Sequence, residues 1–291
     1  MNERTIVATD LSDASFFMVE HLSLLHSLHI TSIVLLQCPD YSEVASEVFP
    51  YIASIEQDVL EKQKNILISF GFKVEVRISP GNAASEINRI AEELDINLVV
   101  VGSMGHSLIG GAFLGGVAHS VMLHTTKPLL IIRLALTDEG KFTLNEISSY
   151  SLISHILFCT DFSTNSVSAF DSFLVNVSSI EAKKVTIIHV IDDKHLNYYG
   201  KDSINDITTI VTQRLSVMVQ KVKSVGIEHV NLVVRIGEVN THLLDFIKNE
   251  EVTLTVLGTV GTSFIKELLG GSVSQYVARH SPSPVFLIPQ D

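Results

Sequence analysis

The stretch GTVGTSFIKELLGGSVSQYVARHSPSPVFLIP, residues 258–289, decides the fold, because its pattern joins a strand end, a glycine-rich loop, a helix and a last strand. An earlier stretch, GSMGHSLIGGAFLGGVAHSVMLHTTKPLLII at residues 102–132, has glycine at the same first, fourth and fourteenth positions and proline at the same twenty-seventh. The fifteenth position differs, since Gly116 stands where the later copy has Ser272. Repetition at this spacing indicates that one structural unit occurs twice.

The repeat extends along the whole chain in the same order. The matching pairs are RTIVATDLSDAS (4–15) with HILFCTDFSTNS (155–166), IVLLQCPD (33–40) with VTIIHVID (185–192), FKVEVRISPGN (72–82) with VNLVVRIGEVN (230–240), and INLVVVGS (96–103) with VTLTVLGT (252–259). Duplication of a whole domain is the simplest cause. We therefore predict one domain over residues 1–138 and a second over residues 151–291, joined by the polar stretch TDEGKFTLNEISSYS at 137–151.

Within each half, short runs of Val, Ile and Leu alternate with helical patterns. The runs are apolar at consecutive positions, as expected for strands buried on both faces. The stretch NAASEINRIAEELD (82–95) places Ile87, Ile90, Ala91 and Leu94 on one helical face, with Asn82 as its N-cap. Five strands per half, alternating with helices, predict an α/β fold of two tandem doubly wound domains, each with a five-stranded parallel sheet.

Composition restricts the classes of partner. Net charge is −12 over 291 residues, which disfavours nucleic acid because its phosphates would be repelled over most of the surface. The stretch SLIGGAFLGGVAHSVML (107–123) is uncharged enough to suggest a membrane span, but its copy at 263–279 carries Lys266, Glu267 and Arg279. If both copies share one fold, neither crosses a bilayer, so no membrane partner is expected.

The two cysteines and the first ten residues indicate the cellular compartment in which the protein is expected. Cys38 and Cys159 each lie in a strand-like run and form no CxxC spacing, which predicts buried free thiols in a reducing environment. The opening MNERTIVATD lacks the apolar core of a signal peptide. A cytoplasmic location is therefore expected.

The loops after the first and fourth strands of each half are where a doubly wound sheet binds ligands. Gly258 and Gly261 predict a tight turn, and Gly271 and Ser272 open a helix whose free N–H groups suit phosphate. Ser272 is predicted to cap that helix, with Val273, Tyr276, Val277 and His280 along one side. Asp161 could accept from an adenine or a ribose, and the backbone of Val190 could meet a base edge. Glycines at turns and a serine at a helix start also occur in α/β proteins without ligands.

The pattern Gly258-x2-Gly261-x9-Gly271-Ser272 resembles the G-x2-G-x9-G-[ST] motif of the universal stress protein family, as do CTDFS at 159–163, HVID at 189–192 and SPSPVFLIP at 281–289. The resemblance implies a five-stranded α/β fold. It also implies adenine nucleotide binding, in which the motif holds ribose and phosphates and the aspartate and strand-two backbone hold adenine. The implied second-half site consists of Asp161, Val190, Leu257, Gly258, Gly261, Gly271, Ser272, Val273 and Ser274.

The first half departs from that motif at its last position. The corresponding candidates are Asp10, Cys38, Gly102, Gly105, Gly115 and Gly116. Glycine at 116 removes one hydroxyl donor, a net loss of about 1 kcal/mol, so a weaker first site is expected. The predicted ligand is ATP or AMP, with or without Mg²⁺, bound mainly in the C-terminal half. No metal site of the protein's own is expected, since His21, His26 and His29 have spacings that give no compact ligand face.

Motifs of nucleotide-processing enzymes do not occur in the sequence. It has no GxxxxGK[ST], no GxGxxG after a strand, no HxGH and no SGGxDS. We therefore expect a regulatory or stress-response module rather than an enzyme, with at most slow incidental ATP hydrolysis. The alternative is a nucleotide-free interaction module of the same fold, acting through the uncharged segment Ile109–Leu114.

The last strand of each half, PLLIIRL and PVFLIP, is apolar enough to pair at a sheet edge. The family resemblance implies that this edge joins two subunits. In a tandem chain it would join the two halves in an internal pseudo-dimer, and a homodimer is also compatible with these edges.

Overall fold

A computed structural model describes residues 3–41, 48–104, 114–144, 151–193, 201–259 and 272–290. The chain divides into two compact units, Met1–Asn145 and Glu146–Asp291. Each contains a five-stranded parallel sheet with helices in the connections. The predicted α/β class, with two tandem doubly wound domains, is confirmed.

The first unit begins with a strand and alternates strands with helices. Its elements are β1 (Arg4–Thr9), α1 (Asp13–Val19), a 3-10 helix (Leu22–Leu28), β2 (Ser32–Gln37), α2 (Phe49–Ser69), β3 (Lys73–Ile78), α3 (Ala83–Glu93), β4 (Val99–Gly102), α4 (Gly116–His124), β5 (Leu129–Ile132), β6 (Ala135–Leu136) and β7 (Phe142–Thr143).

The second unit repeats the plan of the first. Its elements are β8 (Ile156–Cys159), α5 (Thr164–Val177), β9 (Val185–Ile191), α6 (Lys201–Ser224), β10 (Val230–Ile236), α7 (Val239–Asn249), β11 (Leu254–Gly258), α8 (Ser272–His280) and β12 (Val285–Ile288).

The strand order places the first strand of each unit at the centre of its sheet. The orders are β3-β2-β1-β4-β5 and β10-β9-β8-β11-β12, with every pair parallel. The chain moves outward on one side of the first strand and then returns to the other side. The order therefore reverses between β1 and β4, and between β8 and β11, which is where such sheets leave a crevice for a ligand.

Burial follows the apolar runs of the sequence. Every residue of β5, β8 and β12 is buried, whereas the edge strands β3 and β10 are largely half-exposed. Helix α3 begins after Asn82, whose side chain accepts from the backbone N–H of Ser85, and it buries Ile87, Ile90 and Ala91. These expectations are confirmed because they depend only on local periodicity and capping.

Helix α8 differs from its prediction in two details. Ser272 is the first helical residue rather than the residue that caps the helix. The buried residues of its inner face are Ser274, Val277 and Ala278, whereas Tyr276 is half-buried. The small side chains of Ser274 and Ala278 let the helix lie close to the sheet, an effect of packing that hydrophobic periodicity does not report.

The polar stretch between the halves contains structure that its composition did not predict. Strands β6 and β7 pair antiparallel, with Gly140 at φ +75° in the turn between them. Phe142 of β7 packs against Phe17 of α1, with ring centroids 5.9 Å apart. An aromatic residue in an otherwise polar stretch therefore attaches this hairpin to the first unit.

Candidate functional site

A cavity of about 550 Å³ lies in the first unit at the carboxyl ends of its central strands. The residues of β1, β2, β4 and the start of α4 contribute to it, as do α2 and α3. Five predicted first-half positions lie together in its lining: Asp10, Cys38, Gly102, Gly115 and Gly116. Gly105 lies outside the described residues. The volume is within the range of small-molecule sites, about 300–1,000 Å³.

Asp10 stands at the end of β1 and organises the turn into α1. Its Oδ1 accepts from the backbone N–H of Ser12 at 3.1 Å and from the Ser12 hydroxyl at 2.6 Å. Ser12 in turn caps α1 through the backbone N–H of Ser15. The aspartate therefore has a structural role in this turn as well as a place in the cavity lining.

Cys38 follows β2 and is half-exposed rather than buried, which corrects the prediction that both thiols are buried. It lines the cavity because β2 ends at Gln37, where the sheet opens into the crevice. Partial burial raises the pKa of the Cys38 thiol to about 12, with a further contribution from Glu86. The backbone N–H of Ser79, which follows β3, donates to the carbonyl of Gln37. Because successive residues of a strand direct their backbone groups to opposite sides, the backbone groups of Cys38 face β1 and Asp10.

Helix α4 begins at the cavity with open space in front of it. Gly115 is its N-cap and makes no side-chain capping bond. A Cβ built on Gly116 would meet no atom of the described residues within 4 Å. The first turn of the helix therefore presents backbone N–H groups beside an unfilled volume, an arrangement suited to an anionic or hydrogen-bond-accepting group.

Several cavity residues were missed by sequence reasoning. Asp40 and Tyr41 follow β2, and Glu56 projects from α2. The Tyr41 hydroxyl donates to the Glu56 carboxylate, and burial together with that carboxylate raises the pKa of Tyr41 to about 12. Asp40 had a signal in the repeat, since Asp192 occupies the matching position. Glu56 had none, because only the docking of α2 brings it to the crevice.

The second unit places its predicted residues on equivalent elements. Asp161 follows β8, and its Oδ1 accepts from the N–H of Ser163 at 2.9 Å and from its hydroxyl at 2.6 Å, as Asp10 does with Ser12. Val190 lies in β9, and Leu257 and Gly258 end β11. Gly261 and Gly271 lie outside the described residues.

Helix α8 is attached to the end of β11 near its first turn. The hydroxyl of Ser274 donates to the carbonyl of Thr259 at 2.8 Å, and Val273 is half-buried beside it. Ser272 begins this helix, as Gly116 begins α4. The described motif positions therefore lie at or beyond the carboxyl ends of β8, β9 and β11 and at the start of α8.

An aromatic and cationic cluster stands at the carboxyl end of β8. The ring of Phe162 stacks on His189 at 4.6 Å, and the guanidinium carbon of Arg214 lies 4.0 Å from the Phe162 centroid. His189 Nδ1 lies 2.8 Å from the carbonyl of Thr160, and since a carbonyl only accepts, Nδ1 carries the proton. Burial lowers the pKa of His189; the Thr160 carbonyl and Asp161 oppose the shift, and Arg214 adds to it.

Metal and membrane features were examined over the part of the chain that the structure describes. Within it, no group of three or more His, Cys, Asp or Glu side chains is placed to hold a metal ion. No helix among those residues combines the length and the apolar character needed to cross a bilayer.

The segment proposed as an interaction surface is only partly described. Residues 109–113 lie outside the described residues, and Leu114 is buried, with 6% of its surface exposed. Leu114 is therefore a packing residue next to the cavity, and its substitution would disturb folding rather than report on partner capture.

Comparison with known proteins identifies relatives of both halves. The model of the universal stress protein family matches residues 1–133 and again residues 153–289. The universal stress protein MJ0577 of Methanocaldococcus jannaschii is 25% identical over 155 residues, which cover 46% of this chain and 96% of the relative.

A solved structure shares the fold over its whole length. A universal stress protein from Archaeoglobus fulgidus aligns over 100% of both chains with a TM-score of 0.78 at 22% identity. A universal stress protein solved in complex with cAMP aligns over 45% of this chain and 95% of its own, with a TM-score of 0.36 at 23% identity.

Proposed function

Since this chain belongs to the universal stress protein family, we propose that it binds adenine nucleotide, mainly in its second unit, as a cytoplasmic regulatory or stress-response module. The observation that carries the proposal is the repeated set of strand and helix ends, which in the first unit encloses a cavity lined by residues that include Asp10, Cys38, Gly102, Gly115 and Gly116. The second unit repeats the same strand and helix ends around Asp161, Val190 and Gly258.

The residues present suit the parts of an adenine nucleotide. A carboxylate at the first strand end accepts from an amino group or a ribose hydroxyl, and backbone groups of the second strand meet a base edge. The first turn of the following helix receives a phosphate through its N–H groups. Mg²⁺, if bound, would be carried by the phosphates, because the described residues supply no metal cluster.

Two features favour the second unit for the phosphorylated ligand. Ser272 in the first turn of α8 adds a hydroxyl donor that Gly116 lacks. Arg214 places a cation at the carboxyl end of β8, where Val59 occupies the equivalent position of α2 in the first unit. Both differences strengthen attraction to an anion.

Titration calorimetry of the full chain with ATP, ADP and AMP tests the proposal. Ser272→Ala should weaken ATP binding about tenfold or more, since a hydrogen bond to a charged group contributes about 1.5–3 kcal/mol. Gly261→Val should abolish it, because a branched side chain is incompatible with the tight turn that the sequence predicts at this position. Ser178→Ala, at the exposed end of α5, is the matched control and should bind as the wild type does. Absence of binding at millimolar nucleotide, or equal affinity in all variants, would contradict the proposal.

Phosphate release measured on the same samples separates binding from catalysis. A binding module should release phosphate only slowly while nucleotide is bound, because the sequence supplies no general acid–base pair at the crevice. Turnover at rates typical of enzymes, about 1 s⁻¹ or faster, would place the protein among ATPases instead.

A further inference from the structure

The lining of the first unit's cavity contains acidic side chains, which disfavour a ligand that carries several phosphates. Three carboxylates line it: Asp10, Asp40 and Glu56. No Lys, Arg or His occurs among the described residues of its lining.

The second unit has Asp161 and Asp192 at the positions of Asp10 and Asp40 but differs at the third carboxylate. Arg214 lies over the ring of Phe162. The residue of α6 that corresponds to Glu56 is Val211. The two copies of one fold therefore differ by one carboxylate and one guanidinium, and they should discriminate between ligands by charge.

Gln37 adds an unpaired acceptor to the first cavity. Its side chain lines the cavity and is buried, with 3% of its surface exposed. Its Oε1 has no hydrogen-bond partner among the described residues. A buried amide oxygen without a partner costs stability, and a ligand that donates a hydrogen bond would remove that cost. In the second unit the corresponding residue is His189, whose Nδ1 is already bonded to Thr160.

We propose that the cavity of the first unit selects an uncharged purine nucleoside over its phosphorylated forms, with Gln37 accepting from the ligand and the carboxylates repelling phosphate. An acceptor-rich lining suits the amino and hydroxyl donors of a nucleoside. The carboxylate of Glu56, which accepts from the Tyr41 hydroxyl, lies at the cavity wall and opposes the charge of a phosphate. The proposal rests on the proposed adenine-binding function and specifies the ligand of one of its two sites.

Hydrogen-exchange mass spectrometry of the full chain, in EDTA, tests the proposal with adenosine, AMP and ATP as probes. Peptides from residues 8–15 and 114–124 report on the first unit, and peptides from residues 156–166 and 272–280 report on the second. Adenosine should protect the first-unit peptides at lower concentration than AMP, and AMP at lower concentration than ATP. ATP should protect the second-unit peptides.

A charge variant isolates the role of the carboxylates. Glu56→Gln keeps an acceptor for the Tyr41 hydroxyl but removes one negative charge. It should raise first-unit affinity for ATP by about three- to tenfold, as expected for one like charge removed at a partly screened distance. Adenosine affinity should change less than about twofold, because an uncharged ligand has no net charge to repel. The matched control is Glu61→Gln, a residue of α2 that pairs with Lys64 on the exposed side, which should leave both affinities unchanged.

A second variant separates ligand recognition by Gln37 from a structural role. Gln37→Met keeps the shape of the side chain and removes the acceptor. It should lower adenosine affinity about tenfold, while the thermal midpoint stays equal or rises because an unpaired buried oxygen is gone. A lower midpoint with unchanged adenosine affinity would mean that Gln37 only supports the fold, and it would overturn the recognition that we assign to it.

The remaining outcomes distinguish this inference from the proposed function. If ATP protects the first unit as well as adenosine does, or if Glu56→Gln changes nothing, the charge selection is wrong and nucleotide binding stands. If only second-unit peptides are protected, the first site is overturned alone. If no probe protects either unit, the proposed function fails as well.

Discussion

At the scale of single residues, the turn after the first strand is the same in both units. Leu11 and Phe162 adopt φ values of 60° and 58°, which side chains with a Cβ rarely adopt. The preceding aspartate holds each turn by accepting from the serine two residues on. The aspartate and serine of this loop, where a ligand site was predicted, are therefore also a structural requirement of the turn. Their presence alone does not distinguish a binding unit from a non-binding one.

A single substitution at position 116 should increase the affinity of the first unit for AMP. Gly116→Ser places its Cβ where no atom lies within 4 Å, so the hydroxyl can be added without a clash. It should strengthen AMP binding to the first unit by about fivefold, the effect of one added hydrogen bond of about 1 kcal/mol. Gly116→Ala fills the same space without the hydroxyl and is the control. Equal affinities of the two variants for AMP, measured by calorimetry, would show that the first turn of α4 does not contact phosphate.

At the scale of elements, the connection from β10 into α7 depends on a glycine that the repeat pattern did not indicate. Gly237 has φ +140°, and a Cβ built on it would lie 2.5 Å from Nε2 of His242. Helix α7 begins beside it and is capped by Glu238, whose carboxylate accepts from the N–H groups of Asn240 and Thr241. The sequence pairing places Ser79 opposite Gly237, but the structure matches Gly237 with Gly81, which has φ +139° and directly precedes Asn82, the N-cap of α3. The two units therefore make this connection in the same way.

Gly237→Ala should destabilise the protein by about 2–4 kcal/mol, because a strained φ and a steric contact act together. Gly226→Ala is the matched control, since Gly226 has φ +98° but open space around its Cβ; it should cost about 1–2 kcal/mol. Urea unfolding of both variants measures the difference. Adding His242→Ala to the Gly237→Ala variant should restore part of the lost free energy of unfolding. Adding it to the Gly226→Ala variant should restore none. Equal losses in the two glycine variants would show that His242 moves aside at no cost.

At the scale of the whole molecule, the two units share an architecture but bury different titratable groups. The second unit buries His155, whose Nδ1 lies 2.8 Å from the carbonyl of Glu250 and whose Nε2 lies 2.9 Å from Oγ1 of Thr186. Burial lowers the pKa of His155; Lys184 adds to the shift, and the Glu250 carbonyl and charge oppose it. His189 of the same unit is also shifted downward. The second unit should therefore be sensitive to acid.

Because both histidines have a folded-state pKa below the ordinary value of 6.5, the unfolded state binds more protons below that pH. Their contribution is complete above about pH 6.5 and declines as the pH falls through the folded-state pKa. The free energy of unfolding of the second unit should thus be lower at about pH 5.5 than at about pH 7.5. His155→Gln retains a donor and an acceptor and should flatten this dependence. His229→Gln, at an exposed position, is the control, and an identical pH dependence in both variants would contradict the role of His155.

The sequence by itself determined the duplication, the α/β class, the buried strands, the cap at Asn82 and the motif positions, because each of these is a property of residues close together in the chain. Tertiary structure alone decided what surrounds the first crevice. Glu56 reaches it from α2, the side-chain oxygen of Gln37 has no partner among the described residues, and Leu114 is buried. These facts depend on how helices dock on a sheet, and the distances between such residues are set by packing, which local periodicity does not encode.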